Sequence, residues 1–178
     1  MRRAALVLLW AGVFAIAMVW IACTHTSSAA QIGQVPSADE IDAWNIDVSP
    51  NGDGLPAGSG TASAGEGIFA AKCAACHGTA GNTDLAGGIG SLRGPNPVRS
   101  VGNYWPYATT LFDYIRRAMP ADKPQTLSAG EIYSLSAYVL WMNGIVSRDQ
   151  VLDRSSLPRV AMPNRKGFLE HDPRPDVP

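Results

Sequence analysis

Cysteine is scarce, with three in 178 residues. That number is odd and too small for a disulfide framework, which staples small secreted domains through paired cysteines. Charge is scarce too. Charged side chains make up 16% of the chain, against roughly 25% in an average soluble protein, and they nearly cancel to a formal net charge of −1. No Lys/Arg-rich run is present, so nothing offers bulk attraction to nucleic acid, and no nucleic-acid partner is expected. No stretch alternates apolar and polar residues over strand length, which argues against a sheet-based fold. No internal repeat is visible. Glycine and proline, by contrast, reach 18 and 13 positions. The mix describes one small, loop-rich globular domain and excludes collagen, a coiled coil and a charged disordered tail.

The amino end reads as an address. Arg2 and Arg3 precede an uncharged run from Ala4 to Cys23, followed by the polar run Thr24 to Ser28. These are the charged and apolar regions of a secretory signal. Ser28-Ala29-Ala30 supplies the small residues for cleavage before Gln31. As a helix, Ala4 to Ala22 spans roughly 28 Å, close to the ~30 Å hydrocarbon thickness of a bilayer, so an uncleaved anchor is an alternative. A second alternative is lipid on Cys23, because Ile21-Ala22-Cys23 resembles a lipobox. Each reading places the folded domain in the periplasm, free or anchored to the outer face of the inner membrane. Membrane contact is expected only through residues 1–30.

Three further segments follow. Residues 31–64 form an extended acidic arm; Asp39, Glu40, Asp42, Asp47, Asp53 and Glu66 stand between 31 and 66 without a Lys or Arg. Residues 49–65 are rich in turn formers and predict little helix or strand. Residues 65–144 carry the helical signals, and the Pro-rich extension 145–178 is expected to run over the surface. A first helix fits Glu66 to Cys76, with Phe69 and Cys73 on one side. A second fits Thr110 to Ala118, with Thr110 and Asp113 at capping-box spacing and Pro120 as the stop. The third is the clearest. Ser128 and Glu131 form a capping box, Ile132, Leu135, Val139 and Met142 form a stripe, and Asn143-Gly144 ends it. The expected class is all-α: three main short helices and long loops, with extended arms at both ends.

The chemistry sits in Cys73-Ala-Ala-Cys76-His77. Cys-x-x-Cys-His is the attachment signature of c-type haem. On a helical turn, positions 73 and 76 share a side, so both sulfurs reach one porphyrin edge, and the next residue is carried beneath the iron. A thioredoxin-like pair would follow a strand of a βαβ unit, whereas the local sequence is helix and loop. A structural zinc site needs four ligands, and only His25 and His171 remain as further histidines. Cys73 and Cys76 are therefore read as the covalent anchors of one haem c, and His77 as an axial ligand.

The sixth ligand of an electron-transfer haem is commonly methionine, whose soft thioether raises the potential. Met142 lies on the apolar stripe of the last helix and reads as core. Met119 and Met162 each precede proline, which frees them from helix geometry. Met119 is the preferred ligand, since it opens the loop before the last helix; Met162, in the Pro-rich tail, is the alternative. Softer candidates surround them. The Gly94-Pro95-Asn96-Pro97 turn could supply a carbonyl to His77. Asn103, Tyr104 and Trp105, or Arg93 and Arg99, could hold the propionates. The Arg116-Arg117 pair beside Met119 is a candidate for partner docking, and Phe69 against Tyr138 is expected to join the first and last helices.

Taken together, the helix, Cys73-Ala-Ala-Cys76-His77-Gly78, the Gly/Pro loop, Met119-Pro120 and Leu127-Ser-Ala-Gly-Glu131-Ile-Tyr-Ser-Leu-Ser-Ala-Tyr138 resemble a class I cytochrome c. Flanking blocks resemble one branch of it: Trp44-Asn-Ile-Asp-Val, Gly54-Leu-Pro-Ala-Gly-Ser-Gly-Thr, the stretch from Val101 to Met119-Pro, and Leu157-Pro-Arg-Val-Ala-Met162-Pro. That branch is the cytochrome subunit of bacterial sulfite or sulfur dehydrogenases. The resemblance implies a non-catalytic, exported subunit. Its donor would be a molybdopterin-dependent sulfite dehydrogenase catalytic subunit, and its acceptor a downstream cytochrome c or terminal oxidase. Some members carry two haems; this chain has one Cys-x-x-Cys-His and resembles the single-haem form. Two alternatives stand beside this reading: a carrier for another periplasmic dehydrogenase, and a haem enzyme or sensor with an open iron site.

Overall fold

A computed structural model describes residues 33–168; the segment read as signal or anchor, 1–30, lies outside them. The chain divides into two units, Met1–Ile41 and Asp42–Pro178. At the junction of the two lies the short helix α1 (Ala38–Trp44), which buries none of its residues. It starts where it does because Ser37 and Glu40 cap each other: the Glu40 carboxylate accepts the Ser37 N–H at 2.8 Å and Ser37 Oγ accepts the Glu40 N–H at 3.3 Å.

In the second unit, a two-residue strand β1 (Ser59–Gly60) leads into α2 (Ala62–Lys72). Thr61 caps this helix by accepting the Ala64 N–H at 3.2 Å, which moves its start ahead of the expected Glu66. The helix also stops earlier than expected, because Cys73 leaves helical geometry (φ −123°, ψ −35°) before the single turn α3 (Ala74–His77). Then come α4 (Asn82–Leu85), a 3₁₀ turn at Ser91–Arg93, α5 (Val101–Tyr104), α6 (Ala108–Ala118) and α7 (Ala129–Met142). Strand β2 (Leu152–Asp153) pairs antiparallel with β1, Gly60 opposite Leu152. A last 3₁₀ turn covers Leu157–Arg159. The fold is all-α, as expected, with short helices joined by long loops. Among the described residues no helix is long and apolar enough to cross a membrane.

Both β1 and α2 approach α7 closely. A Cβ on Gly65 would stand 2.1 Å from the Ser134 carbonyl oxygen, and one on Gly60 2.4 Å from the Ser134 nitrogen. Two backbones approach this closely only where a side chain is missing. Beyond the crossing, Phe69 meets Tyr138 as expected, with centroids 5.1 Å apart. Phe112 of α6 meets Tyr133 of α7 at 4.6 Å, and both are fully buried.

Two expectations are corrected. No capping box forms at Thr110 and Asp113; α6 begins at Ala108 with no side-chain cap. Asp113 is buried instead, where its Oδ1 accepts the Val48 N–H at 2.9 Å and its other oxygen pairs with Arg117. The segment after 145 does not merely run over the surface. Val146, Leu152, Leu157, Val160 and Met162 are buried in the same core as the helices. Its prolines bend the chain so that apolar side chains enter the core singly, at no helical or strand period.

Replacing Gly65 with Ala forces a methyl group against the Ser134 backbone, which cannot swing aside as a side chain would. Overpacking of this kind costs on the order of 1–3 kcal/mol. Thermal or denaturant unfolding of Gly65→Ala is expected to show that loss; an unchanged midpoint would contradict the close crossing. Glu131 generates an acid dependence. Lys72 Nζ, at 2.6 Å, and then the Ser128 N–H and hydroxyl, each at 2.8 Å, hold its carboxyl down from an ordinary 4.5 to about 2. A lowered folded-state pKa adds stability that is complete above the unfolded value and is lost as pH falls through the folded one. Wild type should therefore lose stability between pH 4.5 and about 2, and Glu131→Gln should lack that component. Parallel wild-type and variant curves would refute it.

Candidate functional site

The break at Cys73 shapes the site. Cys73 N–H still donates to the Phe69 carbonyl at 2.8 Å, while the Cys76 and His77 N–H groups both turn back onto the Cys73 carbonyl, at 3.1 and 3.0 Å. Gly78 then leaves the turn with φ +69°, a conformation that costs glycine little. This one tight turn brings Cys73, Cys76 and His77 to the wall of a cavity of about 600 Å³. Met119, the residue that ends α6, lines the same cavity.

The remaining wall is largely apolar. Phe69 comes from α2, Leu111 and Ile115 from α6, Leu135 and Val139 from α7, and Trp105 from the connection between α5 and α6. Charged lining residues are Lys72, Asp84 and Asp122, all exposed. Cys73 is half-buried and Cys76 exposed, and neither is in a disulfide. Burial pushes the Cys73 thiol pKa up, partly opposed by the nearby Lys72 charge. The donor set is two thiols one helical turn apart, an imidazole and a thioether. Set in an apolar cavity, that combination fits a covalently tethered haem.

Other candidates from the sequence stand elsewhere. Met162 is 3% exposed, packed in the core and outside the lining. Met142 is half-buried and packs beside Gly81. The Gly94–Pro97 turn is exposed and does not line the cavity. Asn103 is taken up by structure. Its side-chain oxygen accepts the Gly90 N–H at 2.9 Å and its amide donates to the Val98 carbonyl at 2.6 Å, pinning the loop ahead of α5. Arg99 lies 5.7 Å from the Tyr104 ring centre. Of the propionate candidates, Trp105 alone lines the cavity. The proposed docking pair is also engaged. Arg116 donates to the Ile46 and Gly54 carbonyls at 2.9 and 3.3 Å, and Arg117 pairs with Asp113. Two lining residues, Asp84 and Asp122, carry no signal in the sequence, since single exposed carboxylates look alike wherever they fall. Leu111, Ile115 and Met119 do share a spacing of four, which traces the cavity face of α6.

Comparison with known proteins agrees with this chemistry. A family model described as "Cytochrome C oxidase, cbb3-type, subunit III" matches residues 60–139. A search of curated protein sequences gives no match. Among solved structures, the chain is similar to a chain of the sulfane dehydrogenase SoxCD from Paracoccus pantotrophus. The two are 41% identical with a TM-score of 0.74, over 80% of this chain and 73% of that one. From its motif, its fold and this likeness, the chain belongs to the class I c-type cytochromes, in the family of the cytochrome found in SoxCD, and its cofactor is covalently bound haem c.

Proposed function

We propose that Cys73 and Cys76 would tether the haem through thioether bonds and that His77 and Met119 would ligate its iron. The chain then acts as an exported electron-transfer subunit in the periplasm, without catalytic chemistry of its own. Its donor is a molybdopterin-dependent dehydrogenase subunit that oxidises sulfite or a sulfur intermediate, and its acceptor is a downstream cytochrome c or terminal oxidase. The observation that carries this reading is the convergence of the Cys-x-x-Cys-His turn and Met119 on one apolar cavity.

When bound, haem supplies a one-electron iron couple. The protein's residues do the rest. The turn wound on the Cys73 carbonyl fixes the two sulfurs and the imidazole relative to one another. Met119 offers a soft thioether, which favours the reduced state. Phe69, Leu111, Ile115, Leu135 and Val139 keep water from the site and so limit reorganisation around it. His77 and Met119 would both be committed to holding the haem, which favours electron transfer over substrate chemistry there. Exposed Cys76 puts one edge of the site near solvent, within reach of a partner.

The sulfur assignment rests on extent. The oxidase-type family model spans residues 60–139, whereas the likeness to SoxCD covers 80% of the chain and so takes in flanking segments.

Purification from the native periplasmic or membrane fraction with its bound partner, followed by anaerobic sulfite, should reduce the haem rapidly. The isolated cytochrome should not respond. No reduction in a sample whose partner is shown to be active would remove sulfite as the electron source. The ligands are tested separately. Met119→Ala should open the iron to fast carbon monoxide binding in the reduced protein, while Met162→Ala should lower stability by about 2–5 kcal/mol and leave the spectrum unchanged. A spectrum altered only by Met162→Ala would overturn the assignment.

A further inference from the structure

The stretch Tyr104-Trp105-Pro106-Tyr107 joins α5 to α6 and delivers Trp105 to the cavity wall. Trp105 meets Tyr114 edge-on, ring centres 5.8 Å apart, and both line the cavity. The stretch leaves a single helical turn capped by Ser100, with the Trp105 N–H bonded to the Val101 carbonyl at 3.2 Å. Helix α5 has four residues, and so short a helix is not stable alone.

The C-terminal extension grips the same stretch at several points. Leu157, Val160 and Met162 anchor it in the core. Past them, Asn164 Nδ2 donates to the Tyr104 carbonyl at 2.7 Å. The Arg165 guanidinium lies 4.5 Å from the Tyr107 ring centre, and Phe168 meets the Tyr104 ring edge-on at 5.2 Å. Gly167 makes room for the Asn164 carboxamide: a Cβ there would stand 1.7 Å from Asn164 Oδ1. The residues flanking Trp105 on both sides are thus held by one segment whose own root is buried.

We propose that residues 157–168 form a strap that fixes Trp105 in the wall of the haem cavity, with Asn164 as the positioning residue, so that the C-terminal extension sets the haem's reduction potential. Loosening Trp105 admits water beside the cofactor. More polar surroundings stabilise the more highly charged oxidised centre, so the potential falls. This inference rests on assigning the cavity to haem.

The test uses full-length, haem-loaded protein carrying Asn164→Ala or Arg165→Ala, with Val146→Ala as a core substitution outside strap and cavity. Asn164→Ala should shift the oxidised-to-reduced ratio at a fixed ambient potential by at least threefold toward oxidised, about 28 mV at 59 mV per tenfold for one electron. It should also speed amide exchange at Trp105, whose N–H donates to the Val101 carbonyl. Arg165→Ala should move both readouts in the same direction by less, and serves alone if the Asn164 variant does not accumulate. Val146→Ala should lower the melting temperature and move neither. Unmoved potential and exchange in the strap variants, or an equal shift in Val146→Ala, overturns the strap. A Cys73→Ala, Cys76→Ala double variant that still binds haem covalently would instead refute the cavity assignment.

Discussion

The fold depends on one close approach, that of the Gly60 and Gly65 backbones to Ser134 of α7. Because α2 lies so near α7 there, Phe69 reaches Tyr138 four residues on, and Lys72 reaches Glu131 across the same pair of helices at 2.6 Å. The end of α2 is thereby fixed beside Leu135 and Val139, and there the Cys73 turn begins. A larger residue at Gly65 would push apart both the core contact and the wall of the cavity. The site inherits its geometry from a missing side chain.

Much of this was legible in the sequence. The cysteine spacing named the cofactor, and the Ser128–Glu131 box placed the start of α7 where the structure has it. Both are local signals, complete within a few residues. What escaped was long-range. Thr110 and Asp113 have the spacing of a cap, but Val48, 65 positions earlier, supplies a backbone donor that draws Asp113 into the core. Arg116 and Arg117 looked free because their partners, the Ile46 and Gly54 carbonyls and Asp113, are identified only by the fold. The buried role of Leu157, Val160 and Met162 was hidden by prolines, since residues that enter a core one at a time leave no period to read.

The charges around the site follow the same pattern. Lys72 and Arg117 each sit in an ion pair with a residue of this chain. The Lys72 pair, on partly exposed side chains, contributes little stability, ~0–1 kcal/mol, whereas Arg117 pairs with the buried Asp113; both soften the field that a docking protein meets.

The central claim is that Cys73 and Cys76, one turn apart on the cavity wall, hold the cofactor. Intact mass and peptide mapping of the purified protein under denaturing conditions test it most directly. The account predicts one haem retained on the peptide containing both cysteines. A bare peptide, with free thiols or a Cys73–Cys76 disulfide, would contradict it.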